Sequence, residues 1–459
     1  FLTRPVSLFR IDRETYGVLK KVEEGEMLTA PFEEERWAEA QTFMERHCLN
    51  APPARLLRGP GDISERVMGL YLFISQECNL RCAYCYGDEG EYGQKGTMGS
   101  DTLRKAFETF FDNNGERSFI TFFGGEPLLN PGMMKETAAL SEEYRQSGKA
   151  DISLGIVTNG TIYSEEMEEF FRNEIDDVTF SLDGPREIND GQRKSKAGFS
   201  VYDRAEENIR KYTRDGRFNW AFRTIVTSRG CDRVQEIFDH LSSFGPGGVG
   251  VVNVDAPKDS PLYLDDHQYR EFIDQTLLVN RKGLRSFIDG GQPVAIEYPF
   301  YILFHFISKS HSLYHCNAGT NLLAVTAGGD VYPCHRFVGV DEFRMGNVSD
   351  PGLKQTAQYR EIRRRFIDST VDNRDGCRDC WARYLCGGSC AKYSHSEHGS
   401  INPPVARHCL SIKTSIEEII PDIARVMEAP EQKDAIMERL KKAVSHRHGS
   451  RSMEASYVP

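Results

Sequence analysis

The stretch GLYLFISQECNLRCAYCYG, residues 69–87, decides how the rest of the chain is read. Its first seven residues are an apolar run of strand length. Three cysteines then follow as C-x3-C-x2-C, namely Cys78, Cys82 and Cys85. Side chains placed where a strand gives way to a loop lie at the edge where open α/β sheets and barrels carry their functional residues. Further short apolar runs occur at 119–123, 152–157, 178–182, 221–226 and 248–254. Between the first two strands, Ser100 reads as the cap of a helix whose Leu103, Ala106, Phe107, Phe110 and Phe111 share one face, ending at Asn114-Gly115. Ser164 opens another helix, with Met167, Phe170 and Phe171. Six strands separated by helices predict a parallel sheet, open or partly closed as a barrel.

At 459 residues the chain has room for about three domains. Hydrophobic content of 39% and charged content of 27% are ordinary for a globular protein. No apolar run approaches the roughly 20 residues that a membrane span needs, so no membrane partner is expected. The formal charge of −11 argues against a nucleic-acid scaffold, which is more often basic. No charged-then-apolar signal opens the chain, and its cysteines cluster at ligand-like spacings; both favour the cytoplasm.

Residues 1–60 read as a small module. Val6, Leu8, Phe9 and Ile11 suggest a strand, Tyr16, Leu19 and Val22 a helix, and Trp37, Phe43 and Met44 a second helix after Pro31. A Pro- and Gly-rich linker follows at 51–61. After about residue 265 the character changes. Helical segments lead to a hairpin-like LLAVTAGGDVYPC at 322–334, then to a loop-rich region that runs to Cys409. Such a region has little apolar core and is expected to need metal to fold. Amphipathic helices at 414–427 and 431–444 and a disordered tail from Ser445 complete the reading.

Ten of the twelve cysteines fall into two blocks. Beyond the first three stand Cys316, Cys334, Cys377, Cys380, Cys386, Cys390 and Cys409, whereas Cys48 and Cys231 read as inert thiols. Three thiolates can hold three irons of a cubane and leave the fourth open. A zinc knuckle remains the alternative for the first block and a zinc ribbon for the second, although seven ligands cannot fill two tetrahedral sites evenly.

The first block, with Tyr84 before its last cysteine, resembles the signature of the radical S-adenosylmethionine enzymes. The resemblance extends along the sheet. Gly124-Gly125-Glu126-Pro127 ends the second strand, Thr158-Asn159-Gly160 the third and Ser181-Leu182-Asp183-Gly184-Pro185 the fourth, while Arg223 lies on the fifth. It implies a partial (β/α)6 barrel with a [4Fe–4S] cluster on Cys78, Cys82 and Cys85. S-adenosylmethionine would then be bound by Tyr84, Gly124, Gly125, Glu126, Asn159, Ser181, Asp183 and Arg223. Glu126 would face its amino group, Asn159, Ser181 and Asp183 would line the ribose, and Arg223 would pair with the carboxylate.

The second block resembles the seven-cysteine SPASM domain of peptide-modifying radical enzymes. That resemblance implies a closed auxiliary [4Fe–4S] cluster on Cys377, Cys380, Cys386 and Cys409. A further cluster, with one iron open, would sit on Cys316, Cys334 and Cys390, making three in all. Anaerobic sulfatase maturases carry an additional cysteine where this chain has Leu322 and an aspartate where it has His335. Both departures weigh against formylglycine formation. The segment YPCHRFVG at 332–339, with MGNV at 345–348, instead resembles maturases that join a cysteine sulfur to carbon, such as those of the ranthipeptides and of quinohemoprotein amine dehydrogenase.

The expected organisation is therefore an N-terminal winged-helix-like peptide-recognition module (1–60), a radical core (67–300), an auxiliary-cluster domain (301–412) and C-terminal helices with a tail (413–459). The expected activity is thioether formation in a cysteine-rich precursor peptide. His335 would be the catalytic acceptor of the thiol proton, and a flavodoxin or ferredoxin would be the reductant. Carbon–carbon cross-linking, epimerisation and formylglycine formation remain as alternatives of the same class. A non-catalytic iron–sulfur carrier or sensor and a zinc-stabilised peptide-binding module are those of other classes.

Overall fold

A computed structural model describes residues 9, 11–46, 54–57, 59–112, 117–291 and 297–448. The strands are β1 (Arg55–Leu56), β2 (Gly69–Ser75), β3 (Arg117–Gly124), β4 (Asp151–Thr158), β5 (Asp177–Ser181), β6 (Asn219–Val226) and β7 (Val249–Asn253). Four short ones follow: β8 (Ser310–His311), β9 (Leu322–Val325), β10 (Asp330–Tyr332) and β11 (Gly346–Asn347). The helices begin with α1 (Arg13–Glu23), α2 (Pro31–Met44), α3 (Ser100–Phe110), α4 (Pro131–Gln146) and α5 (Glu165–Glu174). Next come α6 (Arg186–Gln192), α7 (Val201–Tyr212), α8 (Val234–Ser242), α9 (Asp266–Ile288) and α10 (Glu297–Ser308). The last are α11 (Ala357–Asp368), α12 (Arg383–Cys386), α13 (Ala391–His398), α14 (Ala406–Met427) and α15 (Pro430–His448).

β2 to β7 pair in chain order and all parallel, each joined to the next through helices, as the six apolar runs predict. Burial alternates along β3 to β6. In β3, Ser118, Ile120 and Phe122 are buried beneath helices, whereas Thr121 and Phe123 point to the other face and are half-buried. β4, β5 and β6 repeat this period of two. One face of the sheet is therefore core and the other lines an open cleft, as in a partly closed barrel. Phe107, Phe111, Phe122, Phe171, Phe180 and Phe222 fill the helix-covered side. Each contributes roughly 1.5–3 kcal/mol by leaving water.

One element departs from expectation in this core. Ser100 is the first residue of α3 rather than its cap, and its hydroxyl donates to Glu136. Ser164 does cap α5, accepting from the Met167 amide. The expected end of α3 at Asn114-Gly115 lies outside the described residues.

The cysteine-dense region is not a separate loop domain with little core. β9 pairs parallel with β2, β10 folds back on β9 and β11 on β10, so the hairpin extends the main sheet to nine strands. Phe337, Phe343, Ile362 and Phe366 join the same apolar core. The segment around Val371 and Cys377 rests on a small cluster with Leu313 and Tyr314, whereas Ala382 and Leu385, between Cys380 and Cys386, are buried in a second core with α10 and α14. Cys409 lies within α14, which begins earlier than the periodicity suggested.

Within the N-terminal part, α1 and α2 pack together as expected, but no wing strand occurs among the described residues. Phe9 and Ile11 are not in a strand, and the rest of that stretch lies outside the described residues. β1 pairs instead with β8. α15 runs through Ser445 to His448, beyond the expected start of the tail; the remainder and Cys48 also lie outside. No helix among the described residues is long and apolar enough to cross a membrane.

Candidate active site

The loop after β2 carries Cys78, Cys82 and Cys85 across the end of the parallel sheet. Backbone bonds hold it down: the Arg81 amide donates to the Lys194 carbonyl and the Ala83 amide to that of Gln192, each at 2.8 Å. On the other side it abuts the end of β3. The Gly125 amide donates to Ser75 and the Glu126 amide to the Glu77 carbonyl. A Cβ on Gly124 would stand 2.0 Å from the Ser75 carbonyl oxygen, and one on Gly125 would stand 2.1 Å from that of Glu77. Gly124 also has a φ of +133°, which a side chain rarely tolerates. Both glycines are therefore required for the cysteine loop to approach the strand end, whatever else they admit.

The three thiols lie close enough for Cys82 and Cys85 to raise the proton affinity of Cys78. Burial, together with the charges of Glu126 and the two other cysteines, pushes Cys78 up to about 12. Burial likewise pushes Cys82 up to about 11 against the pull of Arg193. A cationic iron core would reverse this and hold the sulfurs as thiolates. The donor set thus fits a cluster.

Several neighbours are bound inward rather than toward the cleft. Glu126 is fully buried; it accepts from Leu128 and Asn159 amides and from the Thr158 hydroxyl at 2.7 Å, which ties β3 to β4. Burial pushes its carboxyl up to about 6. Asn159 Nδ2 donates to Asn79 Oδ1 at 2.9 Å and reaches Cys78 Sγ at 3.9 Å, so it steadies the cysteine loop. Asp183 is also fully buried. It accepts from the Tyr84 hydroxyl at 2.6 Å, Gln192 Nε2 at 2.8 Å, the Ile225 amide at 3.0 Å and Arg193 at 2.8 and 3.1 Å. Its oxygens are occupied by the protein itself. Together with Tyr84 it locks the cysteine loop to α6 and β6 and leaves no free edge for a ribose.

Ser181 and Arg223 are paired neighbours on the half-buried face of β5 and β6. Gly250 makes room there, since a Cβ on it would meet Arg223 Nη1 at 3.2 Å. His335, in the loop after β10, enters the same cleft. Its ring centroid lies 4.4 Å from that of Tyr71 and 4.9 Å from that of Phe123. Burial, reinforced by the charges of Arg336 and Arg223, pushes it down to about 3. These influences oppose the imidazolium and favour a packing or hydrogen-bonding role over proton uptake.

The charge neighbours of Cys334 and of Cys386 fall within the two groupings that the SPASM resemblance implies. Burial, then Cys390 and Cys316, pushes Cys334 up to about 12. Cys386 reaches about 12 through burial, then Cys409, Cys377 and Cys380. Cys377 is raised by burial and by Cys409 and Cys380, and Cys409 by burial and Cys380. Among the described residues no three His, Cys, Asp or Glu side chains close on a single-ion site. A cubane, which meets each thiolate at a different iron, needs no such convergence.

Between the first cysteine loop and the Cys334 loop lies a cavity of about 260 Å³, lined by Tyr86, Tyr92, Asp255, Arg336, Val338 and Lys392 among others. Arg336 donates to Asp255 at 2.5 Å, approaches Cys390 Sγ at 3.6 Å and stacks on Tyr393 at 4.0 Å. Sequence reasoning missed Arg193 and Arg336. Neither falls in a periodic pattern; Arg336 stands two residues after Cys334, which could have marked it, whereas Arg193 is far from every cysteine block in sequence.

Residues 72–240 match the model of the radical SAM superfamily, and residues 316–381 match that of SPASM, an iron–sulfur cluster-binding domain. The chain is 27% identical over 368 residues to a cysteine-type anaerobic sulfatase-maturating enzyme of Clostridium perfringens, covering 77% of this chain and 96% of that one. Its fold is similar to that of native anSMEcpe with bound AdoMet and Cp18Cys peptide, with a TM-score of 0.67 and 22% identity over 78% of this chain and 98% of that one. It is also similar to Streptococcus suis SuiB bound to its precursor peptide SuiA, with a TM-score of 0.51 and 16% identity over 86% and 88%.

Proposed function

We propose that this radical SAM enzyme, whose core is joined to a SPASM domain, modifies a cysteine-bearing precursor peptide by joining a cysteine sulfur to carbon. The observation that carries the reading is the position of Cys78, Cys82 and Cys85 at the end of the parallel sheet, with seven further cysteines in a second block. Peptide substrates are supported by two relatives of similar fold, one bound to a Cp18Cys peptide and the other to a precursor peptide.

Cys78, Cys82 and Cys85 would hold the cluster that binds S-adenosylmethionine. Cys377, Cys380, Cys386 and Cys409 would hold a closed auxiliary cluster, and Cys316, Cys334 and Cys390 an open one. With S-adenosylmethionine, the first cluster supplies a 5′-deoxyadenosyl radical. Around it, Arg223 is placed to pair with the cofactor carboxylate and Ser181 to meet its ribose. Tyr84, Asn159, Glu126 and Asp183 act as positioning residues that fix the loop. Tyr71, Phe123 and His335 keep water from the cleft, and the 260 Å³ cavity by Arg336 admits a peptide side chain beside the three-cysteine set. The reaction balances if the hydrogen of the C–H bond leaves with 5′-deoxyadenosine, the thiol hydrogen leaves as a proton and one electron returns through the auxiliary centres. A small flavodoxin or ferredoxin would supply the initiating electron.

A second reading, formylglycine formation, is favoured by the similarity to the sulfatase-maturating enzyme. His335 in place of the aspartate and Leu322 in place of the additional cysteine weigh against it. One experiment separates the two. The anaerobically reconstituted protein is incubated with S-adenosylmethionine, dithionite and a cysteine-rich peptide encoded beside it. Thioether formation is expected to remove two hydrogens and one free thiol while keeping the sulfur. Loss of the sulfur would select formylglycine, and turnover with every cysteine unchanged would overturn both.

A further inference from the structure

Arg374 is 3% exposed, and among the described residues no carboxylate pairs with it. The nearest acidic residues in sequence are engaged elsewhere: Asp372 faces Arg383 at 3.4 Å, and Asp375 faces Arg378 at 3.8 Å. All three of its hydrogen bonds go to neutral acceptors. Nε donates to the Ser369 hydroxyl at 2.9 Å, Nη1 to the Ser389 carbonyl at 2.9 Å and Nη2 to the Ile401 carbonyl at 2.5 Å. A buried cation with only neutral partners is costly unless anionic charge lies near it.

What surrounds it is sulfur. Its own carbonyl accepts from the Cys377 amide at 3.1 Å, and its guanidinium bonds the carbonyl of Ser389, which directly precedes Cys390. A Cβ on Gly388, between Cys386 and Cys390, would stand 2.5 Å from its Nη1. Burial works against its charge, while Cys377, Cys386, Cys316 and Cys390 favour it. Two of these belong to the four-cysteine set and two to the three-cysteine set. Three hydrogen bonds fix the guanidinium, one of them on the residue before Cys390, while the Arg374 backbone carbonyl holds the Cys377 amide, so the residue is tied to a loop of each set.

We infer that Arg374 is the shared counter-cation of the two auxiliary clusters and raises the reduction potential of both. The inference rests on the proposal that these cysteines hold clusters. Adding one electron to a thiolate-ligated cluster increases its negative charge, so a fixed positive charge nearby stabilises the reduced form. Arg374 is a positioning and tuning residue that touches no substrate. Cys78, Cys82 and Cys85 are not among the cysteines that act on its charge, so the first cluster serves as an internal control.

The test uses the full chain, reconstituted anaerobically, with Arg374→Met and Arg374→Lys compared with the parent. Potentials are read by electron paramagnetic resonance during a redox titration, and iron is counted on the same samples. In Arg374→Met the reduction equilibrium of both auxiliary clusters is expected to fall at least tenfold, about 59 mV for one electron. Arg374→Lys is expected to retain most of the parent potential, and the cluster on Cys78, Cys82 and Cys85 is expected not to move. Unchanged auxiliary potentials with iron retained would overturn the inference. If Arg374→Met does not load iron, Arg374→Lys decides: parent-like potentials support a role for the charge, and a failure to load shows a purely structural role and overturns it. Absence of auxiliary iron in the parent would instead defeat the cluster assignment on which the inference stands.

Discussion

Replacing Asp183 with alanine is expected to lower the unfolding free energy by about 3–5 kcal/mol, the cost of breaking a buried ion pair from one side. Asp183 is wholly buried and Arg193 nearly so, at 7% side-chain exposure. The substitution would strand the guanidinium and also leave the Tyr84 hydroxyl, Gln192 Nε2 and the Ile225 amide without their acceptor. Arg193 also influences Cys82, so the damage would reach the cysteine loop. Asp183→Asn keeps the shape but turns an amide N–H toward a ring of donors, and should recover only part of the loss. Denaturant unfolding checks both variants. A change below about 1 kcal/mol in Asp183→Ala would remove the network from the account of how the loop is held.

The second large effect concerns iron. Changing Cys78, Cys82 and Cys85 together to alanine is expected to remove about four of about twelve irons and abolish S-adenosylmethionine cleavage, leaving two auxiliary clusters in a folded chain. The chain should fold because the loop is held by backbone bonds to 192–194 and to the end of β3, not only through its sulfurs. Iron and sulfide analysis checks the count, and far-ultraviolet circular dichroism checks the fold. Loss of all iron would mean that the three sets are not independent centres. Zinc in place of iron in the parent would favour a metal-stabilised binding module.

Much of this arrangement was legible in the sequence because each feature is local. The first strand read from the sequence is a seven-residue apolar run, and β2 spans those seven residues. The cysteine spacings likewise place neighbours on one short loop. Long-range arrangement was less legible. The alternation in LLAVTAGGDVY announces a hairpin but not the edge it will join, and the edge of β2 is what turns a small domain into an extension of the main sheet. Asp183 was expected to face a ligand because it sits in a strand-end turn. Its partners Gln192 and Arg193 come from the far end of α6, nine and ten residues on, which no short-range pattern reports. Arg374 is hidden for a different reason. An arginine in a polar, loop-rich segment reads as solvated, and only the packed chain shows that it is enclosed by cysteine loops and lacks a carboxylate. Glu126 repeats the point, since its carboxylate ties β3 to β4 where a glycine-flanked acid suggests an open binding edge.

The central claim is that the first cysteine set supports radical chemistry on S-adenosylmethionine. The most direct measurement is chromatographic detection of 5′-deoxyadenosine after anaerobic incubation of the iron-loaded protein with S-adenosylmethionine and dithionite. The account expects 5′-deoxyadenosine to accumulate with the intact protein and to be absent with the variant that lacks Cys78, Cys82 and Cys85. S-adenosylmethionine that stays intact in the presence of a fully iron-loaded, reduced protein would contradict it.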